Sequence, residues 1–274
     1  MPPYDVGGSS QCATLPHYRD HDGYPMRSPL VVSDFLIERL QASAALHDLN
    51  AGATSYAEIG TRDGDNIACV AQLARRAGLR VSATGVEQSA RRCEALRVRS
   101  TAAGDIFRVI EAQVNETSHL HTLPVADVYY YWGMSSTNLQ MARWVDEALH
   151  HRGARGTLYM GYDWHYPADR NALVPHVQAF RATKGNSSVA LKRLFFDESD
   201  GREEFDEPPT EALPVGASTP QERDTPRRRP PSYTRPFARR PGQWGVFHIV
   251  SLQVGAGTLR IPRTLERQVA REMA

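Results

Sequence analysis

Two carboxylates and a pair of glycines carry the chemistry legible in this chain. Glu58 closes the short run Tyr56-Ala57-Glu58-Ile59 and is followed by Gly60-Thr61-Arg62-Asp63-Gly64, after which a helical pattern begins. Glycine suits a turn between a strand and a helix, because it tolerates positive φ and lets a ligand approach the main chain closely. The unpaired N–H groups of the helix start favour a carboxylate or a phosphate. About twenty residues beyond Gly64, a second run, Val81-Ser82-Ala83-Thr84-Gly85-Val86-Glu87, ends in a second acid, and an acid at that spacing can take both hydroxyls of a ribose. The pattern points to a nucleoside site.

The loop separates two ligand classes. A dinucleotide loop has the form Gly-x-Gly-x-x-Gly, so that the backbone can meet a pyrophosphate. Arg62 stands where the second glycine would be, and Asp63 and Asp65 add negative charge. These acids repel a pyrophosphate and suit a ligand with a cationic or zwitterionic end, such as S-adenosylmethionine. Glu58-Ile59-Gly60-Thr61-Arg62-Asp63-Gly64 resembles the glycine loop of class I S-adenosylmethionine-dependent methyltransferases. Its Glu-x-Gly-x-x-x-Gly form is most similar to small-molecule O-methyltransferases of the catechol and caffeoyl-CoA type.

The resemblance implies that Gly60 and Gly64, with Thr61, Arg62 and Asn66 around them, shape the methionine pocket. It implies that Glu58 faces the methionine ammonium, Glu87 holds the ribose, Gln113 meets the adenine N6 and Trp132 borders the cofactor at the end of strand four. Asp63, Asp65 and Asn66 serve equally well as helix caps. The metal-dependent members of this group need acids at the ends of strands four and five, since magnesium takes hard oxygen ligands. Trp132 occupies the first of those positions, and Tyr162-Asp163 stands where the family has Asp-Asn. One of three ligands survives, so no metal is expected. Asp163, with His165 nearby, is the candidate base toward a substrate hydroxyl, and a solvated loop Asp and His is the competing reading. Tyr131, Trp132, Trp164 and Tyr166 could wall an apolar acceptor or belong to the core.

The elements that must position these residues follow from periodicity. Ser33 to Leu49 has helical spacing with Ser33 as its cap. Strands are predicted at 55–59, 80–86, 106–110, 126–132, 156–162 and 189–196, with helices at 66–77, 89–100, 139–150 and 171–183 between them. This alternation predicts an α/β fold with a doubly wound, mostly parallel sheet and helices on both faces. A last strand at 244–254 completes the seven-stranded, Rossmann-like sheet that the resemblance implies, with an antiparallel hairpin at its edge. Residues 1–28 read as a flexible N-terminal arm. A methyltransferase-like domain is expected over 29–274, with a Pro- and Arg-rich insert at about 198–242 that cannot form a core. The tail from 262 reads as a short charged helix.

Composition sets the remaining bounds. The chain has 274 residues, 32 Lys and Arg against 31 Asp and Glu, and a net charge of +1. Such a chain exerts no general pull on nucleic acid or an anionic membrane, and no apolar stretch is long enough for a bilayer span. The basic runs Arg227-Arg228-Arg229 and Arg235 to Arg240 read as a solvated loop. Cys12, Cys69 and Cys93 form no Cys-x-x-Cys pair, and Cys69 and Cys93 read as ordinary thiols. The N-terminus lacks the pattern of a secretory signal, so a cytoplasmic protein is expected. The expected partners are a small-molecule acceptor, without nucleic acid or membrane, and a homodimer is allowed. The expected activity is methyl transfer to oxygen without metal. The alternatives are a catalytically inactive methyltransferase-like binding module and a nucleic-acid methyltransferase. The last should carry a base-flipping motif such as Asn-Pro-Pro-Tyr after strand four, where Trp132-Gly133-Met134-Ser135 stands instead.

Overall fold

The computed structural model describes residues 30–46, 53–62, 64–133, 135–163, 167–197, 244–260 and 265. The N-terminal arm, the Pro- and Arg-rich insert, Asp63, Trp164, His165, Tyr166 and all but one residue of the predicted C-terminal helix lie outside the described residues.

Seven strands form one sheet: β1 (Thr54–Ile59), β2 (Val81–Glu87), β3 (Arg108–Glu111), β4 (Val128–Trp132), β5 (Gly156–Asp163), β6 (Val189–Asp197) and β7 (Trp244–Val254). The helices are α1 (Leu30–Leu46), α2 (Asp65–Arg76), α3 (Ala90–Ala102), the single turn α4 (His119–Thr122), α5 (Ser135–His151) and α6 (Pro167–Lys184). The strand order is β3-β2-β1-β4-β5-β7-β6. The first five strands pair in parallel, and β7 runs antiparallel between β5 and β6. This is the doubly wound sheet with a closing antiparallel pair expected from the sequence.

Each face of the sheet has its own core. On one face Val32, Phe35, Leu36, Ile37 and Leu40 of α1 and Ile67, Val70 and Leu73 of α2 pack with Tyr56, Tyr130 and Phe247. On the other, Leu139, Val145 and Leu149 of α5 and Leu173, Val177 and Phe180 of α6 cover Ile59, Tyr129, Leu158 and Met160. Burying each large apolar side chain stabilises the fold by about 1.5–3 kcal/mol. β1 and β4 are covered on both sides, which is why they read as near-continuous apolar and aromatic runs.

The structure corrects the sequence reading in several places. Ser33 does not cap α1; it lies inside the helix, 2% exposed, and its hydroxyl donates to Asn66 Oδ1 at 3.0 Å. β3 starts at Arg108, two residues later than expected. Helices α5 and α6 each begin four residues before the predicted start, because their first turns are polar and carry little periodic signal. Cys69 is disulfide-bonded, while Cys93 is a free, buried thiol.

Candidate functional site

The sheet changes winding direction between β1 and β4, which pair from Tyr56 opposite Val128 to Ile59 opposite Tyr131. In an open α/β sheet ligands bind beyond the carboxyl ends of the strands at this switch point. The topology places Glu58, Gly60 and the glycine loop there, with Glu87 one strand away at the end of β2 and Trp132 at the end of β4.

The loop is held by its own main chain. Gly60 N–H and Thr61 N–H donate to the Val86 carbonyl at 2.8 and 3.2 Å, and Gly64 N–H donates to the Thr61 carbonyl at 2.9 Å. Gly60 and Gly64 have φ of 68° and 79°, the left-handed region that favours glycine. Gly64 also lies against Leu96 of α3, where a Cβ would collide. Arg62 adopts the same region with φ 55°, a conformation that costs about 1–3 kcal/mol in a non-glycine residue. Its N–H donates to Glu87 Oε2 at 2.8 Å, which holds it there. Thr61 is buried, and its hydroxyl donates to the Glu58 carbonyl at 2.9 Å. Its side chain braces the turn.

Glu87 therefore does more than the ribose reading requires. It is buried, and its Oε1 accepts from Gln88 N–H at 3.0 Å and Ser89 N–H at 2.9 Å. One carboxylate ties the end of β2, the start of α3 and the glycine loop together. Oε2, with a single donor, keeps acceptor capacity for a hydroxyl.

Glu58 sits on the α1 and α2 face, 5% exposed. Its Oε2 accepts from Tyr56 OH at 2.9 Å and from Asn66 Nδ2 at 2.6 Å. Burial raises its pKa to about 7, against the opposing hydrogen bonds from Asn66 and Tyr56, and the nearby Asp65 carboxylate adds to the rise. Asp65 is itself paired with Arg99 of α3 at 2.5 Å. Gly64 occupies the N-cap of α2 without a side-chain cap bond. Asp65 and Asn66 are thus committed to Arg99 and Glu58 and do not cap the helix.

At the β4 edge the half-buried Tyr131 donates to Thr137 Oγ1 at 2.8 Å. A Cβ on Gly60 would make only an ordinary contact with the Tyr131 ring, at 3.7 Å, so it is the left-handed φ and not lack of space that calls for glycine there. Trp132 packs edge-on against Phe247 of β7, with ring centroids 5.8 Å apart. Gln113 lies exposed beyond β3, near the Glu87 end of β2 through the Ala112 N–H to Glu87 carbonyl bond of 2.9 Å. The Asp163 backbone pairs with Phe247 at the end of β5. Tyr162 points into the core, 1% exposed, with its hydroxyl 2.8 Å from His176 Nδ1. Among the described residues no cluster of three His, Cys, Asp or Glu side chains could hold a metal, and no helix is long and apolar enough to cross a membrane.

Sequence reasoning did not single out Tyr56, Ser33 or Arg99 as part of this site. Tyr56 was legible in principle, since residues two apart on a strand share a face. Ser33 and Arg99 arrive from α1 and α3, and no local pattern announces them.

No family model and no curated protein matches this chain. Solved structures of similar shape include a cofactor-bound protein of MTB, at 16% identity over 90% of this chain and 86% of that one, with TM-score 0.49. Another is a precorrin-6Y C5,15-methyltransferase of Geobacter metallireducens, at 10% identity over 86% and 93%, with TM-score 0.47. A third is a candidate RNA methyltransferase of Pyrococcus horikoshii, at 11% identity over 90% and 96%, with TM-score 0.47. These likenesses are remote. The fold does not choose between small-molecule and nucleic-acid acceptors, and the exclusion of nucleic acid drawn from composition is withdrawn. The strand order, the antiparallel seventh strand and the glycine turn at the switch point give this chain the class I methyltransferase fold.

Proposed function

We propose that the protein is an S-adenosylmethionine-dependent methyltransferase acting on a small-molecule acceptor, at oxygen and without metal. The observation that carries this reading is the placement of Glu58, the two left-handed glycines and Glu87 around one switch point. The residues fit such a cofactor. Gly60 and Gly64 hold the left-handed turn at the switch point, Glu87 Oε2 retains acceptor capacity, and Glu58 Oε1 takes none of the bonds that hold Oε2. The chemistry such a group supplies is a sulfonium methyl for in-line displacement. The chain's part is to align the acceptor and remove its proton. Asp163 at the end of β5, with His165 after it, is the proposed base. The aromatic edge of Tyr131 and Trp132 is the proposed acceptor wall.

Titration calorimetry tests the cofactor assignment. S-adenosylhomocysteine is expected to bind and NAD is not. Glu87→Ala removes an acceptor worth about 1.5–3 kcal/mol when charged, so its affinity should fall by about 10- to 150-fold. Equal affinity in variant and wild type would remove Glu87 from the ribose site.

Metal is expected to be dispensable. Trp132 packs edge-on against Phe247 and carries no oxygen, and the Tyr162 hydroxyl is turned to His176, so neither position offers an oxygen at the sheet edge. Activity measured against a panel of hydroxylated acceptors should persist in excess chelator. Loss of turnover with chelator and its return with magnesium would reverse this reading.

A further inference from the structure

Glu58 is enclosed by neutral donors. β1 contributes Tyr56, whose phenol is kept protonated by burial and by the Glu58 charge. α2 contributes Asn66, fixed in turn by Ser33 of α1, and the Asp65 carboxylate, whose charge Arg99 partly offsets. From the neighbouring strands, Tyr130 of β4 and Gly85 of β2 stand opposite Glu58 in register. Among the described residues no Lys or Arg pairs with Glu58. A carboxylate so placed has one solvated-equivalent oxygen, Oε2, and a second, Oε1, that the protein leaves without these donors. Taking an unpaired charge out of water is costly, and the group responds by holding its proton.

We propose that docking of a cationic amine at the end of β1 expels a proton from the Glu58 carboxyl, with Tyr56 and Asn66 as positioning residues that fix Oε2 and leave Oε1 to the amine. The proposal rests on the cofactor reading above, which supplies the amine. The Glu58 O–H bond breaks, the proton passes to solvent, and the carboxylate and ammonium remain as an ion pair. No covalent bond forms, and the neutral acid plus ammonium become an ion pair plus one released proton. With its pKa at about 7, the acid is about half protonated at pH 7, and binding has to complete its ionisation.

Calorimetric titration of the full chain with S-adenosylhomocysteine, in two buffers of different ionisation heat, reads this directly. About half a proton released per molecule bound is expected at pH 7, and affinity should rise about fivefold from pH 6 to pH 7. An infrared difference spectrum should show loss of a protonated-carboxyl band on binding. Glu58→Gln, which keeps the shape and the neutral state, should bind more weakly and release no proton. Tyr56→Phe removes a donor to the charged form, so its pH profile should move to higher pH. A purely structural tyrosine would lower thermal stability and leave the profile in place. Binding without proton release in the wild type, or equal release in Glu58→Gln, overturns the proposal while sparing the cofactor assignment. No binding at any pH from 6 to 8 overturns the cofactor assignment and this proposal with it.

Discussion

Asp146→Ala is expected to destabilise the protein by about 3–5 kcal/mol, because it leaves a buried lysine without its counter-charge. Asp146 of α5 is fully buried. Its Oδ1 accepts from Lys184 Nζ at 2.7 Å, Gly255 N–H at 2.7 Å and Ala256 N–H at 3.2 Å, and its Oδ2 accepts from Leu259 N–H at 3.0 Å. One carboxylate thus joins the middle of α5, the last residue of α6 and the chain leaving β7. Burial pushes its pKa up, but the Lys184 bond and the Leu259 and Gly255 N–H groups outweigh that and hold it below the ordinary value. A depressed folded-state pKa contributes stability that is present above the unfolded value and is lost as pH falls through the folded one. Chemical denaturation of wild type and variant at neutral pH measures the loss. The difference should narrow in acid, as wild-type Asp146 becomes protonated. A variant within about 1 kcal/mol of wild type at neutral pH would show that the chain leaving β7 is anchored by other contacts.

Asp163→Asn is expected to lower turnover by about 10²–10⁴-fold, the effect typical of removing a general base, while S-adenosylhomocysteine affinity stays nearly intact. The motive is position. Asp163 ends β5, two residues beyond Gly161, which pairs with Trp132 at the β4 edge. The acceptor is proposed to meet the methyl at that edge. Single-turnover rates, with affinity measured in parallel, separate a chemical role from a binding one. If the variant turns over at the wild-type rate, Asp163 leaves the site, and His165, His17 and His21 become the residues to substitute.

The sheet was legible because its central strands β1 and β4 are covered on both faces and its helices on one. β1, β2 and β4 announce themselves as short apolar runs, and α2 as a helix that starts at a glycine turn. Glu58 and Glu87 were legible because strand ends and glycine loops are local features, and their spacing along the chain is fixed by one strand–helix–strand unit. In the sequence Arg62 was visible as a departure from a dinucleotide pattern and as a residue expected around the methionine pocket. Its left-handed backbone and its tie to Glu87 depend on β2 lying beside β1.

The sequence by itself determined the fold class and which acids stand at the ends of β1 and β2, because both follow from periodicity and from residue types within a few positions of each other. The tertiary structure decided which groups of the protein those acids bind. It closed Tyr56, Asn66 and Ser33 around Glu58, paired Asp65 with Arg99, turned Glu87 into a brace for three backbone N–H groups, and made Asp146 the anchor of the last loop. Each of these joins residues from different elements, brought together only when helices pack on the sheet. The protonation of a buried carboxyl depends on that enclosure, and a one-dimensional pattern does not encode it.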